Sequence, residues 1–290
     1  SGRKVPKLRP DGKVALLTTV DALAYLMGAD TFYWQALMNR QTYAERTGRA
    51  NFLYVGSIAP EAPPNSWCGR PVSGHYVKPI AELALMHHQQ VSSFMFMDAD
   101  TWFSDAAAAT PESYLSLAPK AELFFTAGKW HSGPILMSGG WHIVKNTPAG
   151  RAFVEDWWER RCGEFDQGAL WLATFNLWNT THGHPFNLTK WTSYQTARHI
   201  VYRYFRAYYK GLVKQGSRWS CADDSCWDEK GRLTEPINVG KVVILPESPV
   251  TWKGVQLPAV RHDMLDGQTT FVCHCGPKTA DDNGCSSKEV

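Results

Sequence analysis

Apolar and polar positions alternate between two kinds of segment in the first hundred residues. Short, mostly apolar runs occupy residues 14–20, 51–55 and 94–97, which is typical of strands buried on both faces. Between them, residues 30–46 and 75–90 carry apolar side chains three or four positions apart, which predicts amphipathic helices. The order strand–helix–strand–helix–strand predicts an α/β sheet whose ligands bind at the carboxyl ends of the strands.

The remaining predicted elements are shorter. Helices are predicted at residues 148–161 and 167–178. Further strands are predicted at residues 123–126, 134–137, 141–144, 241–245 and 270–273. We therefore expect one domain over residues 14–278, built on a mixed, mostly parallel sheet flanked by helices. We expect residues 1–13 to be a tag remnant and stem, and residues 279–290 to be a flexible tail.

The third apolar run ends abruptly in two carboxylates, Asp98 and Asp100, on either side of Ala99. Carboxylate oxygens next to an apolar, water-excluding strand are suitable ligands for Mg²⁺ or Mn²⁺, with phosphates completing the coordination shell. The alternative is a solvated strand end or a helix N-cap by Asp100 or Asp105, because Asp is common at both. The apolar strand before the motif and its βαβα context favour the metal site.

Two enzyme classes place Asp-x-Asp after a buried strand. In haloacid-dehalogenase-like phosphatases the first Asp is a nucleophile and the second an acid or base. That motif normally ends the first strand of the domain, whereas two predicted strands precede it in this chain. The second acidic pair that such enzymes need would have to be Asp223 and Asp224, which lie between Cys221 and Cys226 without an apolar run before them.

The second class is suggested by five segments that follow one another along the chain. They are residues 14–20, 75–78 (HYVK), 136–146 (LMSGGWHIVKN), 165–170 (FDQGAL) and 274–278 (HCGPK). In this order they resemble the nucleotide-sugar glycosyltransferases of the GT-A (Rossmann-like) fold. The nearest group is family 34, the α-galactosyl- and xylosyltransferases, with families 8 and 77 more distant. Ser138 stands where this group usually has Asn, and Lys145 where it has Arg.

The resemblance implies a metal site and a nucleotide site. Asp98, Asp100 and His274 would hold Mn²⁺ (or Mg²⁺), which bridges the donor phosphates. For His274 alone, a core position or a zinc site is an alternative. The other residues implied to contact the nucleotide sugar are Thr18, Thr19, Val20, Lys78, Ala99, Gly139, Gly140, Gly276 and Lys278.

The catalytic residues implied by the resemblance are Asp166 and Gln167, placed beside the anomeric carbon of the donor sugar. Either could stabilise an oxocarbenium-like transition state with retention of configuration, and an inverting enzyme would use Asp166 as a general base. Capping of the following helix by Asp166 is the alternative. Four aromatic residues are further candidates for lining the site, namely Trp130, His131, Trp141 and His142, whereas Trp157, Trp158 and Trp171 are expected in the core.

The net charge and the aromatic content limit which binding partners we expect for the protein. The formal net charge of +3 is too small, and the basic residues are too scattered, to imply nucleic acid as a partner, and none is expected. The 13 Trp, 13 Phe and 11 Tyr suit sugar rings as well as an ordinary core, so a non-catalytic carbohydrate-binding module is a further alternative. The expected donor is a UDP-sugar, with galactose or xylose favoured, and the expected acceptor is a glycan or glycoprotein.

Cysteines and glycosylation motifs bear on the compartment. Seven cysteines, of which Cys221 and Cys226 could close a short disulfide, favour an oxidising compartment together with sequons at Asn179 and Asn187. We therefore expect the Golgi or ER lumen. Ser1-Gly2 without an initiating Met resembles the remnant of a cleaved tag, so a type II membrane protein with an N-terminal anchor ahead of these residues is expected.

Overall fold

A computed structural model describes the chain in segments. The described residues are 12–20, 32–58, 70–88, 91–103, 110–130, 133–163, 166–182, 226, 228–229, 233–239, 241–247, 250–257, 259–261 and 270–274. The helices among them, α1 to α5 in chain order, are Phe32–Thr47, Val77–Met86, Pro111–Leu117, Pro148–Glu159 and Gln167–His182. The strands, β1 to β12, are Ala15–Val20, Asn51–Val55, Ser93–Met97, Thr101–Phe103, Leu123–Trp130, Gly133–Lys145, Ile237–Val239, Val242–Leu245, Val250–Trp252, Val255–Leu257, Ala259–Arg261 and Thr270–His274.

Seven strands form a mixed central sheet in the order β2-β1-β3-β6-β5-β8-β7. β1 lies between β2 and β3 and is parallel to both. β6 is antiparallel to its neighbours β3 and β5, β8 is parallel to β5, and β7 is antiparallel to β8. Five of these strands therefore run in one direction and two in the other, which confirms the predicted α/β fold with a mixed sheet flanked by helices.

The strands β1 and β3 are buried because helices cover both faces of the sheet there, whereas the edge strand β2 leaves Leu53 and Val55 exposed, contrary to its expected burial. In β3, Phe94 and Phe96 face a core built with α2, α4 and α5. Met95 and Met97 face a second core, built with α1 and α3. Successive side chains of a strand point to opposite faces. A strand without polar positions is thus the sequence that a sheet covered on both sides requires.

One predicted boundary inside the sheet is wrong. Residues 134–137 and 141–144 belong to a single strand, β6, which runs without interruption through Gly139 and Gly140. Adjacent glycines suggest a turn in sequence, but an extended strand also accepts them where another group approaches closely. The predicted helix at 75–90 is shorter, since a single 3₁₀ turn capped by Ser73 leads into α2, which ends at Met86.

Two small sheets accompany the central one. β4 follows the Asp-x-Asp motif directly and joins β12 and β11 in a three-stranded sheet that the sequence analysis did not predict. β9 and β10 form a hairpin whose two turn residues, Lys253 and Gly254, have φ of 50° and 79°, as hairpins with two-residue turns require. No helix within the described segments has the length and apolar character of a membrane span. The predictions for residues 1–11 and 275–290 lie outside the described residues.

Candidate active site

The Asp-x-Asp motif forms a tight turn between β3 and β4. The amide of Asp98 donates to the carbonyl of Gly140 at 2.9 Å, which continues the pairing of β3 with β6. The carbonyl of Asp98 accepts from the amide of Thr101 at 3.1 Å and from its hydroxyl at 2.7 Å. Asp100 precedes a strand, so helix capping by Asp100 is excluded, and Asp105 lies outside the described residues. The three motif residues are half-buried.

A buried lysine links the turn to the second acidic motif. Lys78, in the first turn of α2, places its Nζ 2.9 Å from Oδ1 of Asp98 and 3.2 Å from Oδ2 of Asp166. Its side chain is 8% exposed, whereas that of Asp98 is 25% exposed. Burial alone would lower the pKa of Lys78, but the charges of Asp166 and Asp98 and the hydrogen bond to Asp98 raise it above the ordinary lysine value. Lys78 is therefore a permanent cation between two carboxylates.

Asp166 and Gln167 stand at the start of α5 and are buried. The carbonyl of Asp166 accepts from the amide of Leu170 at 3.0 Å and from the indole Nε1 of Trp157 at 3.1 Å. The contact of its Oδ2 with Lys78 is an ion pair without hydrogen-bond alignment. Oδ2 of Asp166 and Oε1 of Gln167 have no hydrogen-bond partner among the described residues. Oε1 of Gln167 is thus a buried acceptor without a hydrogen-bond partner among the described residues, while Oδ2 of Asp166 has the ammonium of Lys78 beside it.

Gly139 and Gly140 bring β6 against both acidic motifs. A Cβ on Gly139 would lie 3.3 Å from Oδ2 of Asp166, and Gly140 accepts the hydrogen bond from Asp98. The indole Nε1 of Trp171 donates to the carbonyl of Met137 at 3.0 Å and holds α5 to the same strand. The structure therefore gathers Lys78, Asp98, Gly139, Gly140 and Asp166, which are far apart in sequence.

The end of β1 lies beside this group. The β1–β3 register pairs Leu17 with Phe96, so the last residues of β1, Thr18, Thr19 and Val20, run alongside the Asp-x-Asp turn. Thr18 is buried, and its hydroxyl accepts a hydrogen bond of 2.8 Å from Arg40.

Sequence reasoning missed Arg40, which is 1% exposed on the inward face of α1. Besides Thr18, its guanidinium donates to the carbonyls of Asp98 and Thr101 and to the hydroxyl of Thr101. Burial lowers its pKa to about 10, against the opposing effect of the charges on Asp100 and Asp98. The available signal was helical spacing: Arg40 lies four residues after Ala36 and three before Tyr43, on an otherwise apolar face.

The third predicted metal ligand is brought close by strand pairing. β12 is antiparallel to β4, and the register sets His274 opposite Thr101, one residue from Asp100. No cluster of three His, Cys, Asp or Glu side chains is found among the residues that the structure describes. The backbone of His274 is described without its side chain, and Gly276 and Lys278 lie outside the described residues.

The chemistry of the motif fits a divalent cation. Asp98 and Asp100 offer hard oxygen donors on a half-buried turn, and Asp98 already holds a cationic group, the ammonium of Lys78. The side-chain oxygens of this turn are not used in backbone capping of a helix, since a strand follows.

Two aromatic candidates for the site lie in the core instead. Trp141 is buried against Tyr114 on one face of the sheet. His142 is fully buried on the other face, stacked between Phe96 and Phe125, with its Nε2 2.8 Å from Oε1 of Glu82. Alternation along β6 puts the two side chains on opposite faces of the sheet, and each packs into the core on its own face. Trp157 and Trp171 are buried as expected, and Trp158 is partly buried.

Two of the described cysteines are disulfide-bonded. Cys226 is disulfide-bonded, as is Cys162, while Cys221 lies outside the described residues. The hydroxyl of Tyr76 donates to the carbonyl of Cys162 at 2.7 Å and accepts from its amide at 2.9 Å. Tyr76 immediately precedes α2, so the segment leading to Asp166 is tied to the helix that carries Lys78.

Comparison with models of known protein families and with curated proteins gives no match. Among solved structures, the chain is similar to a glycosyltransferase involved in the glycosylation of the major capsid of PBCV-1, with a TM-score of 0.37, 14% identity and coverage of 51% of this chain and 65% of that one. It is also similar to mouse xyloside xylosyltransferase 1, with a TM-score of 0.32, 11% identity and coverage of 59% and 83%.

A third similar structure is the catalytic domain of Drosophila β1,4-galactosyltransferase 7 with xylobiose, with a TM-score of 0.31, 12% identity and coverage of 53% and 63%. A mutant of that enzyme has been solved with manganese, UDP-Gal and xylobiose. The chain thus spans 65% of the capsid glycosyltransferase and 63% of the galactosyltransferase domain. At such low identity and TM-score we draw no argument on activity from these likenesses, and fold alone does not determine function.

Proposed function

We propose that the chain is a metal-dependent glycosyltransferase of the GT-A fold, nearest to family 34, that transfers a sugar from a UDP-sugar to a glycan or glycoprotein. The observation that carries the proposal is the convergence of Asp98, Lys78, Asp166 and Gly139 where β3 ends. A diphosphate donor needs a divalent cation, positive charge and room for a sugar ring. Carboxylates, a buried lysine and two glycines supply the groups for these needs.

Asp98, Asp100 and His274 would hold Mn²⁺, or Mg²⁺ in its place. When bound, the ion would neutralise charge on the departing diphosphate. The half-buried carboxylates and the β4–β12 register, which sets His274 opposite Thr101, support this assignment.

The other site residues would bind and orient the donor. Lys78 and Lys278 would contribute positive charge near the phosphates. Close approach of the donor would be possible at Ala99 and at the glycines Gly139, Gly140 and Gly276. Thr18, Thr19 and Val20 would lie along the nucleotide base, which the position of the β1 end beside the Asp-x-Asp turn supports.

Asp166 and Gln167 would act beside the anomeric carbon. Their buried oxygens without hydrogen-bond partners among the described residues support a role as acceptors toward the sugar. Asp166 is 3% exposed and lies near Lys78 and Gly139, which suits stabilisation of a cationic transition state better than activation of an acceptor from solvent. We therefore propose retention of configuration, with galactose or xylose as the transferred sugar.

We also propose that the catalytic domain spans residues 14–278 and acts in the Golgi or ER lumen. The disulfide-bonded state of Cys162 and Cys226 supports an oxidising compartment.

Calorimetric titration with UDP, with and without Mn²⁺, tests the proposal. We expect Mn²⁺-dependent binding by the native protein and its loss in Asp100→Ala with the fold intact. Asp156→Ala is the matched control, because Asp156 forms a partly exposed ion pair with Arg160 on α4, away from the site. Binding that is indifferent to metal, or retained in Asp100→Ala, would contradict the proposal.

The alternatives predict other outcomes. A phosphatase would hydrolyse a generic phosphate ester and lose this activity in Asp98→Asn. A carbohydrate-binding module would bind sugar without nucleotide or metal. Donor hydrolysis across UDP- and GDP-sugars would identify the sugar.

A further inference from the structure

Arg40 joins the two strand ends that the proposed donor would contact. Its guanidinium lies in the protein interior, behind the Asp-x-Asp turn, and bonds to the end of β1 and to the turn at once. We propose that Arg40 is a positioning residue that holds the metal-binding turn in the geometry that a divalent ion requires. This inference rests on the proposed function, since it concerns the same site.

The hydrogen bonds of Arg40 to the turn are made to backbone carbonyls and to the hydroxyl of Thr101, not to carboxylate oxygens. Nη2 donates to the carbonyls of Asp98 and Thr101, at 2.9 Å for Thr101, and to the hydroxyl of Thr101 at 2.8 Å. Nη1 donates to Thr18 at 2.8 Å. Oδ1 of Asp98 points instead to Lys78 on the opposite side. Arg40 therefore sets where the carboxylates stand without occupying their oxygens.

The chemistry of an arginine suits this arrangement. A planar guanidinium offers five donors in a fixed fork, so a single side chain can bond to two strands in a defined direction. Lysine has one compact ammonium and cannot span both groups in the same way.

Stability alone does not account for the residue. Burying a charge is costly, and replacing a whole buried ion pair by apolar residues is often neutral or stabilising, although removing one partner alone is destabilising. Nε of Arg40 has no hydrogen-bond partner among the described residues, so the burial is not fully compensated. The charges of Asp100 and Asp98 act on the guanidinium, which places its positive charge where the two carboxylates would otherwise repel each other.

Neighbouring contacts hold the other side of the turn. The side-chain amide of Asn39 exchanges two hydrogen bonds with the backbone of Phe103, at 3.1 Å and 2.8 Å. The ring of Tyr43 stacks on Phe103 with centroids 3.7 Å apart. These contacts hold α1 against β4, the strand that pairs with β12 and so with His274. Arg40 is the member of this contact that reaches the metal-binding turn itself.

The test compares Arg40→Met and Arg40→Lys with Arg49→Met. Arg49 is the matched control, because it follows the same helix, its side chain is 4% exposed, and it bonds to Glu112 instead of the turn. The readouts are the Mn²⁺ concentration that half-saturates UDP binding, and the thermal unfolding temperature without metal. Unfolding separates loss of the fold from loss of the metal response.

We expect both methionine variants to unfold at a lower temperature. Only Arg40→Met should require a Mn²⁺ concentration at least about tenfold higher for half-saturation of UDP binding. The free energy of a hydrogen bond to a charged group corresponds to about this factor in a binding constant. Arg40→Lys should keep the charge and restore only part of the Mn²⁺ affinity.

Two results would overturn the inference. If the native protein shows Mn²⁺-dependent UDP binding and folded Arg40→Met shows the same Mn²⁺ requirement, Arg40 has no positioning role while the proposed function stands. If the native protein shows no Mn²⁺-dependent binding, the proposed function fails and this inference fails with it. A methionine variant too unstable to assay leaves Arg40→Lys to decide, and full Mn²⁺ affinity in that variant would also overturn the inference.

Discussion

Lys78 and Asp98 form a 2.9 Å ion pair at the point where β3 leaves the core, and the same ammonium lies 3.2 Å from Asp166. The pair joins α2 to the Asp-x-Asp turn and, through Asp166, to α5. A divalent ion at Asp98 would share this carboxylate with Lys78 or displace the ammonium from it. Metal binding at Asp98 would therefore be coupled to the Lys78 contacts.

Replacing Lys78 with Met should make the protein depend more on metal. Without the ammonium, Asp98 and Asp166 lose their shared cation, and breaking a buried pair costs about 3–5 kcal/mol. We expect a lower unfolding temperature without metal, and a larger rise on adding Mn²⁺ than in the native protein. Differential scanning fluorimetry with and without Mn²⁺ measures both. The exposed Lys120 provides the control Lys120→Met, and an equal Mn²⁺ response in Lys78→Met and the native protein would contradict the prediction.

Asp166→Asn should reduce turnover far more than donor binding. The amide keeps the size of the side chain but removes the charge that would stabilise the transition state, so we expect a loss of about 100-fold or more in kcat. UDP affinity in Mn²⁺ should change little. Turnover and UDP titration of the same preparation separate these effects, with Asp156→Asn as the control on the α4 surface. Unchanged turnover would remove Asp166 from the catalytic group.

Gly139→Ala should disturb the site without unfolding the protein. The added Cβ would lie 3.3 Å from Oδ2 of Asp166 and 3.7 Å from Leu170, so the carboxylate would have to shift by a few tenths of an ångström. We expect a drop in turnover with a small change in unfolding temperature. Gly74→Ala is the matched control, because nothing lies within 4 Å of its added Cβ. Equal activity of the two variants would show that Gly139 does not provide needed space.

Glu82 and His142 should be energetically coupled. Both side chains are fully buried, and Oε2 of Glu82 and Nδ1 of His142 have no hydrogen-bond partner among the described residues. Removing either partner leaves a buried polar group unpaired, at a cost of about 3 kcal/mol or more. The double variant Glu82→Leu/His142→Phe should lose less free energy of unfolding than the sum of the two single variants, because it leaves neither polar partner unpaired. Phe retains the aromatic contacts with Phe96 and Phe125. Urea unfolding of the native protein, the two single variants and the double variant measures the coupling free energy. Additive losses in the free energy of unfolding would contradict the prediction.

Glu112 should contribute stability that disappears in acid. Its carboxylate accepts from the amide of Val14 at 2.7 Å and from Arg49 at 2.5 Å and 2.9 Å. Burial raises the pKa of Glu112, but these hydrogen bonds and the charge of Arg49 outweigh it, so the pKa in the folded protein lies below the ordinary value. The contribution is therefore complete above the unfolded pKa of about 4.3 and is lost as the pH falls through the folded pKa.

Glu112→Gln tests this pH dependence. At neutral pH we expect a loss of about 1 kcal/mol or less in the free energy of unfolding, because the pair is partly exposed. As the pH falls through the folded pKa of Glu112, the difference in stability between the native protein and the variant should shrink toward zero. A difference that persists unchanged into acid would show that the carboxylate charge is not responsible.

Local pattern was sufficient for much of the fold. The apolar runs of β1 and β3 have side chains buried on both faces, so their composition identifies them without knowledge of their neighbours. The run of β2 has the same composition, but this strand lies at the sheet edge and leaves Leu53 and Val55 exposed. The helix at α4 begins at the predicted residue, because Thr147 and Pro148 form a typical helix start. The single strand β6, by contrast, was divided in the sequence analysis, since two glycines are the same signal for a turn and for close packing.

The sequence by itself determined the Asp-x-Asp motif at the end of a buried strand and the second acidic motif at the start of a helix. Only the tertiary structure decided that Lys78 lies between them, since 20 residues separate Lys78 from Asp98 and 88 separate it from Asp166 along the chain. It also decided that His142 belongs to the core and that Arg40 supports the turn from behind. The physical reason is that the burial of a charged side chain, and the groups it contacts, depend on which distant elements pack around it. The local spacing of residues in the sequence does not indicate which elements those are.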